Sequence, residues 1–344
     1  MESSIPDLFR RNLEKNMKAF SLAAGLLTIA TGALADTPNL TVMTYDSFAS
    51  EWGPGPQIKA GFEAECACTL TYVTAGDGAA LLARVQLEGA ASEADVVLGL
   101  DTNLTAAATA TGLFAPLAQA LPHDLPVPFA DPLFQPFDWG WFAFVYDKTK
   151  LASPPGGFEA LAASNLKIII QDPRSSTPGL GLLLWVKAAY GPRAGEIWAA
   201  LADNIVTVTP GWTEAYGMFL EGEADMVLSY TTSPAYHLIA ETDDTKAAAA
   251  FAEGHYLQIE VAGKLAASDQ SALADAFLTY LGSDAAQAIL PTTNWMYPAK
   301  TAAAGLPEGF GGLVRPEVSL LMSATDAEAV RQATIEEWQT ALSR

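Results

Sequence analysis

Hydroxyl side chains are gathered ahead of a proline in the stretch QDPRSSTPGLGLLLW, residues 171–185. Ser176 and Thr177 stand just before Pro178, at a point where an apolar run begins. A helix that begins there leaves several backbone N–H groups unpaired, and such a helix end attracts anions. The stretch predicts contact with a negative or polar group, although Ser176 would serve equally well as a plain helix cap.

The chain as a whole is strongly acidic, with a formal net charge of −21 over 344 residues. That balance argues against nucleic acid and against anionic membrane surfaces as partners. It suits a cationic ligand, but most solvated acidic faces serve solubility only. A hydrophobic content of 50% and a charged content of 17% describe a folded protein with a large core, long enough for two domains.

The N-terminal region has the pattern of an export signal. Residues 17–35, MKAFSLAAGLLTIATGALA, join a basic residue to an apolar run that ends in small residues. We expect residues 1–35 to be a signal peptide with an upstream extension at 1–16, cleaved after Ala35. The apolar run is too short for a comfortable transmembrane helix. The mature protein is therefore predicted to be soluble and periplasmic.

The chain has two cysteines, Cys66 and Cys68, separated by one alanine. In an oxidising periplasm they could form a disulfide, and two small buried thiols are an equally good interpretation. The histidines, His123, His237 and His255, show neither metal-ligand spacing nor a paired nucleophile. We expect no metal site.

Strand and helix patterns alternate along the mature chain, in two sets. The first set predicts strands at 40–45, 69–76 and 94–101 and a helix at 78–90. The second predicts strands at 166–172, 204–212 and 225–230, with helices after residue 177 and at 213–224. Such alternation predicts two α/β lobes with parallel sheets, and the extended runs 139–146 and 255–263 are predicted to cross between them.

The carboxyl ends of the predicted strands bring together residues of complementary chemistry. Ligands of open α/β sheets bind beyond those ends. The residues that stand there are Tyr45, Asp77 with Gly78, and Asp101 on one lobe, and Asp172, Trp212 and Tyr230 on the other. We leave Asp101 out of the site, because it could cap the next helix. The pattern predicts a flat ligand that is cationic in its middle and anionic or polar at one end.

Seven segments in this order carry a family resemblance. They are MTYDSFASEWGPGP (43–56), ADVVLGLD (94–101), FDWGWFAFVYDK (137–148), DPRSSTPGLGLLLW (172–185), VTVTPGWTEAYGMFLEGEADMVLSYTTSPAYH (206–237), EGHYLQIE (253–260) and NWMYP (294–298). Together they cover nearly the whole mature chain, and they resemble the periplasmic thiamine-binding proteins of ABC importers. Met43 and Ser175 depart from the family pattern, and neither departure affects the site.

The resemblance implies a two-lobed periplasmic-binding-protein fold of type II, with the ligand cleft between the lobes. Lobe 1 would comprise residues 36–138 and 255–300, and lobe 2 residues 139–254. Residues 301–344 would form a C-terminal helical segment that packs on both. It also implies a monomeric, non-enzymatic receptor without a cofactor, which captures thiamine and its phosphate esters, thiamine monophosphate and thiamine diphosphate, and delivers them to a membrane permease.

The family's binding residues transfer to this chain by position. Asp77 and Gly78 would meet the aminopyrimidine of the ligand. Its hydroxyethyl or phosphate end would be held by Ser176, Thr177 and Trp212. The edge of lobe 2 would be lined by Tyr230, Thr231, Thr232 and Ser233, and the aromatic walls would be Tyr45, Trp52, Tyr236 and Trp295. Trp52 and Trp295 could instead be core residues.

Two other classes of function remain open at this point. A thiamine-degrading enzyme of the same architecture would need an activated thiolate. Cys66 and Cys68 precede a predicted strand, at its amino end and away from the cleft, which disfavours that role. A receptor for another organic cation, such as a polyamine, would need carboxylates at both ends, which the helix start at Ser176 contradicts. Iron receptors tend to use adjacent tyrosines, and the sequence has no Tyr-Tyr pair.

Overall fold

A computed structural model describes residues 37–343 of the chain. The predicted signal peptide and its upstream extension lie outside the described residues. All elements below belong to one compact unit, Thr37–Arg344. Within the described part of the chain, no helix combines the length and the apolar character needed to cross a membrane.

The strands follow the predicted pattern closely. They are β1 (Asn39–Thr44), β2 (Thr69–Thr74), β3 (Val96–Asp101), β4 (Gln135–Asp147), β5 (Ile168–Gln171), β6 (Ile205–Thr209), β7 (Met226–Tyr230), β8 (Lys246–Ala248), β9 (His255–Lys264), β10 (Tyr297–Pro298) and β11 (Ser319–Leu320).

The α-helices connect these strands and cover the sheet. They are α1 (Asp46–Ala49), α2 (Gly55–Cys66), α3 (Gly78–Glu88), α4 (Thr105–Ala110), α5 (Phe158–Ala162), α6 (Thr177–Tyr190), α7 (Ala194–Leu201), α8 (Trp212–Glu221), α9 (Pro234–Tyr236), α10 (Ser271–Leu281), α11 (Asp284–Gln287), α12 (Leu290–Thr293) and α13 (Ala324–Leu342). A π-helical turn, His237–Glu241, follows α9.

The sheet has the order β2-β1-β3-β9-β4-β7-β5-β6. β1 is parallel to both β2 and β3, and β5 is parallel to both β6 and β7. The antiparallel strands β9 and β4 lie between these two parallel groups. Each parallel group with its covering helices corresponds to one predicted lobe, and the predicted two-lobed α/β fold is confirmed.

β4 runs through both parts of the sheet. Its residues 135–141 pair with β9, and from Phe142 to Tyr146 it pairs with β7. We call β1, β2, β3, β9 and residues 135–141 the first half-sheet, and β5, β6, β7 and residues 142–147 the second half-sheet. The lobe boundary predicted at residue 138 lies inside β4, a few residues before this change of partner.

The crossing strands are fixed by the core around them. His255 is buried at the start of β9, where its Nδ1 donates to the Phe142 carbonyl at 2.7 Å and its Nε2 accepts from the Phe251 N–H at 2.9 Å. Burial lowers the pKa of this imidazole, which favours the neutral ring that both bonds require. His255 therefore has the structural role predicted for a crossing strand. Beyond the sheet, α13 packs against α4, α6 and α7, helices that follow strands of both half-sheets.

Cys66 and Cys68 are joined by a disulfide between the end of α2 and the start of β2. Ala67 between them has a φ of 52°, in the left-handed region, and ends the helix. The bond lies at the amino end of β2, whereas ligand sites of such sheets lie at the carboxyl ends. A bonded pair at that end supplies no thiolate nucleophile.

Candidate functional site

A cavity of about 440 Å³ lies between the two half-sheets, beyond the carboxyl ends of their parallel strands. Both half-sheets and the segment around α12 contribute to its wall. The lining residues are Tyr45, Ser47, Trp52, Asp77, Pro178, Trp212, Thr213, Tyr216, Gly217, Leu220, Tyr230, Ser233, Tyr236, Glu260, Thr293, Asn294, Trp295 and Met296.

The structure brings eight of the thirteen predicted binding residues to this wall: Tyr45, Trp52, Asp77, Trp212, Tyr230, Ser233, Tyr236 and Trp295. The other five are buried behind it: Gly78, Ser176, Thr177, Thr231 and Thr232. Ligand contact by the first group remains a prediction. Within the second group, Gly78 and Ser176 bond to Asp77, and Thr232 donates to the sulfur of the lining residue Met296 at 3.7 Å.

Aromatic rings form most of the cavity wall. Trp52 lies at the rim with 53% of its surface exposed, which excludes the core role considered for it, and its ring is 6.5 Å from that of Trp212. Trp212 in turn stacks on Tyr216 at 5.0 Å. Tyr236 meets Trp295 edge-on at 5.4 Å. Rings at these separations offer several faces to one flat cation.

Hydrogen bonds behind the wall hold these rings in place. The Trp212 indole N–H donates to Ser229 at 2.8 Å. The Tyr216 hydroxyl is 2.9 Å from Nε2 of His237, whose Nδ1 is 2.7 Å from the Glu241 carboxylate. His237 is buried in the π-helical turn, a type of irregularity that is frequent at functional sites. The sequence pattern around His237 indicated no role for it, because its partner Tyr216 lies on a different helix.

Trp295 is held in an uncommon backbone conformation. Its φ is 56°, in the left-handed region that bulky residues seldom occupy. Its N–H donates to the Leu290 carbonyl at 3.0 Å, which fixes the end of α12. Backbone strain of this kind persists where surrounding structure imposes it, and it clusters at ligand sites. The strain supports a role for Trp295 in the cavity rather than in the core.

Three helix N-termini converge on the Asp77 carboxylate. It accepts hydrogen bonds from the Gly78 N–H at 2.6 Å, the Ser176 hydroxyl at 2.7 Å and the Trp212 N–H at 3.2 Å. Those donors begin α3, precede α6 and begin α8, respectively. Burial raises the pKa of Asp77, and these hydrogen bonds oppose that rise. Ser176 makes no side-chain cap on its own helix. The helix start predicted to contact a negative or polar group therefore faces the Asp77 carboxylate in this structure. Asp77 and Ser176, which were predicted to meet opposite ends of the ligand, are in direct contact with each other.

The same contacts hold the half-sheets together. A Cβ on Gly78 would lie 1.9 Å from Oγ1 of Thr177, so only glycine permits this approach. The Ala80 N–H donates to the Ser175 carbonyl at 3.0 Å across the same junction. Gly78 and Thr177 thus meet behind the cavity wall, at the junction of the half-sheets, instead of lining the cavity.

Glu260 is a lining residue that sequence analysis missed. It lies in β9, where Oε2 accepts from the Tyr45 hydroxyl at 2.9 Å and Oε1 accepts from Gln258 at 2.7 Å. Burial raises its pKa, and so does the neighbouring Asp138. The signal in the sequence was the single acid in the run 255–263. We interpreted that run only as a crossing strand.

One group of residues within the described chain has ligand atoms close enough to share an ion: His237, Glu241 and Asp243. The ligand atoms already have protein partners, since His237 pairs with Glu241 and Asp243 accepts from Lys246 at 3.2 Å. The arrangement is explained without a metal. No Lys, Arg or His stands among the residues found to line the cavity within 37–343.

Comparisons with known proteins identify the family of the chain. Residues 49–288 match the model of the family described as bacterial extracellular solute-binding protein. The chain belongs to this family. Among relatives of this solute-binding protein, the thiamine-binding periplasmic protein of Escherichia coli (strain K12) is 53% identical over 322 residues, 93% of this chain and 98% of that protein. That of Brucella abortus biovar 1 (strain 9-941) is 47% identical over 332 residues, 96% and 99% of the two chains.

Solved structures place the fold in the same group. A periplasmic thiamin binding protein superposes with a TM-score of 0.87 at 53% identity, covering 90% of this chain and 97% of that one. A ferric binding protein from Campylobacter jejuni gives a TM-score of 0.72 at 16% identity, covering 88% and 99%, a likeness of fold alone. The matched relatives are periplasmic solute-binding proteins, and the prediction that this chain is not an enzyme is confirmed.

Proposed function

We propose that this solute-binding protein captures thiamine in the periplasm and delivers it to the membrane permease of an ABC importer. The observation that carries the proposal is the cavity wall. It combines seven aromatic residues, Tyr45, Trp52, Trp212, Tyr216, Tyr230, Tyr236 and Trp295, with the carboxylates of Asp77 and Glu260. The names of the relatives, thiamine-binding periplasmic proteins, point to the same ligand.

The chemistry of thiamine suits such a wall. Its thiazolium ring carries a fixed positive charge, and each aromatic face attracts a cation by roughly 0.5–2 kcal/mol, depending on desolvation. Its exocyclic amine can donate to a carboxylate in a charge-assisted bond. A cavity of about 440 Å³ lies within the range of small-molecule sites.

The phosphate esters of thiamine are proposed as ligands too. The backbone N–H groups at the helix starts around Asp77 now donate to its carboxylate, and they would become donors to a phosphate at this end of the cavity if that carboxylate moved away. A phosphate bound there would replace or move the Asp77 carboxylate. We further propose that residues 1–35 direct export and that the receptor acts as a monomer.

Calorimetric titration of mature protein, refolded to remove bound ligand, tests the proposal. We expect a dissociation constant from about nanomolar to sub-micromolar for thiamine, which corresponds to about −8 to −12 kcal/mol. Titration with thiamine monophosphate under the same conditions tests whether the phosphate esters bind as well. Spermidine is the matched control for a non-aromatic cation and should bind far more weakly. Millimolar binding of thiamine and of its esters, or tighter binding of spermidine, would refute the proposal.

A further inference from the structure

Three acidic residues form one row across the first half-sheet. In β9, Glu260 is paired directly with Asp138 of β4 on one side and with Asp101 of β3 on the other. Residues paired in this way lie on the same face of a sheet, and like charges placed opposite each other are destabilising. All three are buried, and Glu260 reaches the cavity. We call Asp101, Asp138 and Glu260 the carboxylate row.

The partners of the carboxylate row are neutral. Asp101 accepts from the backbone and side-chain N–H groups of Asn103 at 3.1 and 2.7 Å. Asn294 donates to Oδ2 of Asp138 at 2.6 Å, whereas Oδ1 of Asp138 is buried without a hydrogen-bond donor among the described residues. Glu260 receives its bonds from Tyr45 and Gln258. Buried charges of one sign need either a counter-charge or a proton.

We propose that Glu260 and Asp138 share one proton in the empty cavity, and that the cationic ring of the bound ligand replaces this proton as their counter-charge. The proton lies between the two carboxyl groups, where it supplies the donor that Oδ1 of Asp138 lacks. On binding, the cation enters beside Glu260, the O–H bond breaks and one proton leaves to the buffer. Glu260 and Asp138 thereby select for a permanent positive charge. This inference rests on the proposed function.

The ionisable groups around the pair favour one shared proton. Tyr45 faces Glu260 from the end of β1, Asp101 from β3, and Asp77 from the start of α3. Asp101 and Asp77 raise the pKa of Glu260 further, after burial and Asp138. Burial raises the pKa of Asp138 to about 7. Tyr230 on β7 also faces the row, and it stays neutral because burial raises its pKa.

The direction in which cation affinity changes with pH follows from these pKa shifts. The empty protein binds the proton more tightly than a free carboxyl group would, and the cation favours the deprotonated pair. Affinity for the cation should therefore fall as the pH drops below the raised pKa of the shared proton, by up to about tenfold per pH unit for one proton. A neutral ligand of the same shape should show no such dependence.

Calorimetry in two buffers of different ionisation enthalpy counts the protons released per thiamine bound. We compare the wild type with Glu260→Gln, in which the Gln258 amide can turn its unpartnered Oε1 toward the new amide. Glu65→Gln, an exposed change near the disulfide, is the matched loss of one charge. Protons that thiamine itself gains or loses are the same for all three proteins, so they cancel when proton release is compared. Far-UV circular dichroism and binding of an analogue with an uncharged ring show that each variant is folded.

The wild type and Glu65→Gln should release more protons near pH 7 than Glu260→Gln. At pH 8, Glu260→Gln should bind thiamine roughly ten- to a hundredfold more weakly, as for loss of a charged contact, and the uncharged analogue about equally well. Equal proton release by all three proteins, or an unchanged thiamine affinity in Glu260→Gln, would overturn the inference and leave the proposed function intact. Failure of the wild type to bind thiamine would overturn both.

Discussion

Removal of the hydrogen bond between Ser176 and Asp77 should weaken ligand binding by a definite amount. Ser176 is fully buried, and its hydroxyl donates across the junction of the half-sheets to the Asp77 carboxylate at 2.7 Å. When the lobes separate, both groups would bond to water instead. The Ser176→Ala variant should therefore destabilise the closed state and leave the open state unchanged.

The magnitude follows from the number of donors that remain. Asp77 keeps the N–H groups of Gly78 and Trp212, so only one of the three hydrogen bonds described above is lost. Hydrogen bonds to charged groups contribute about 1.5–3 kcal/mol, and with two donors left the lower end applies. About 1.5 kcal/mol corresponds to roughly tenfold weaker binding of thiamine. The loss should appear mainly as faster dissociation, because the bond forms only after the ligand has entered.

Calorimetry gives the affinity, and chase of bound radiolabelled thiamine gives the dissociation rate. Ser175→Ala is the matched control, since the neighbouring hydroxyl donates to the Pro210 carbonyl within the same half-sheet region at 2.6 Å. It should bind thiamine as the wild type does. Wild-type affinity and dissociation rate in Ser176→Ala, or equal losses in the two variants, would refute the reasoning.

Three further measurements test other parts of the structure. Burial raises the pKa of Asp138 to about 7, against about 3.9 unfolded. Thermal or urea unfolding of ligand-free protein should therefore show the wild type losing stability relative to Asp138→Asn as the pH rises from about 4 to about 7, by up to about 1.4 kcal/mol per unit, with no further loss above pH 7. Parallel profiles of the two proteins between about pH 4 and about pH 7 would contradict this. His237→Gln removes a ring that contacts both a tyrosine and Glu241, and calorimetry should show weaker thiamine binding than in Trp52→Leu, whose exposed ring contributes about 0.5–1 kcal/mol. Replacing both cysteines by alanine should leave thiamine affinity unchanged, because the disulfide lies at the amino end of β2; a tenfold loss would show that the two regions are coupled.

Local pattern was sufficient to predict most elements of the fold. The alternation of apolar runs and helix signals predicted β1, β2, β3 and α3 within a few residues. The aromatic run at 139–146 predicted an extended crossing, which is the central part of β4. These features depend on neighbours in sequence, so a single chain reveals them.

The partners of individual polar groups were not predictable in the same way. Ser176 bonds to a residue 99 positions away, so its hydroxyl was assigned to a ligand or to its own helix. Glu260 became part of a row only through the register that β9 adopts with β3 and β4. Register is a tertiary property, and one acid inside a crossing strand does not specify it. The family resemblance pointed to residues of the cavity wall, but it did not point to Glu260.

The carboxylate row has a consequence for the life of the protein in the cell. Folding must bring three buried acids together, and in the empty receptor only the shared proton offsets their charge, so the empty receptor should be less stable than the occupied one. A bound cation stabilises the folded state by mass action and reduces the fraction of molecules open to proteases. Empty copies should then be degraded sooner than occupied ones. Supply of the ligand would set the number of receptors directly, without any change in gene expression.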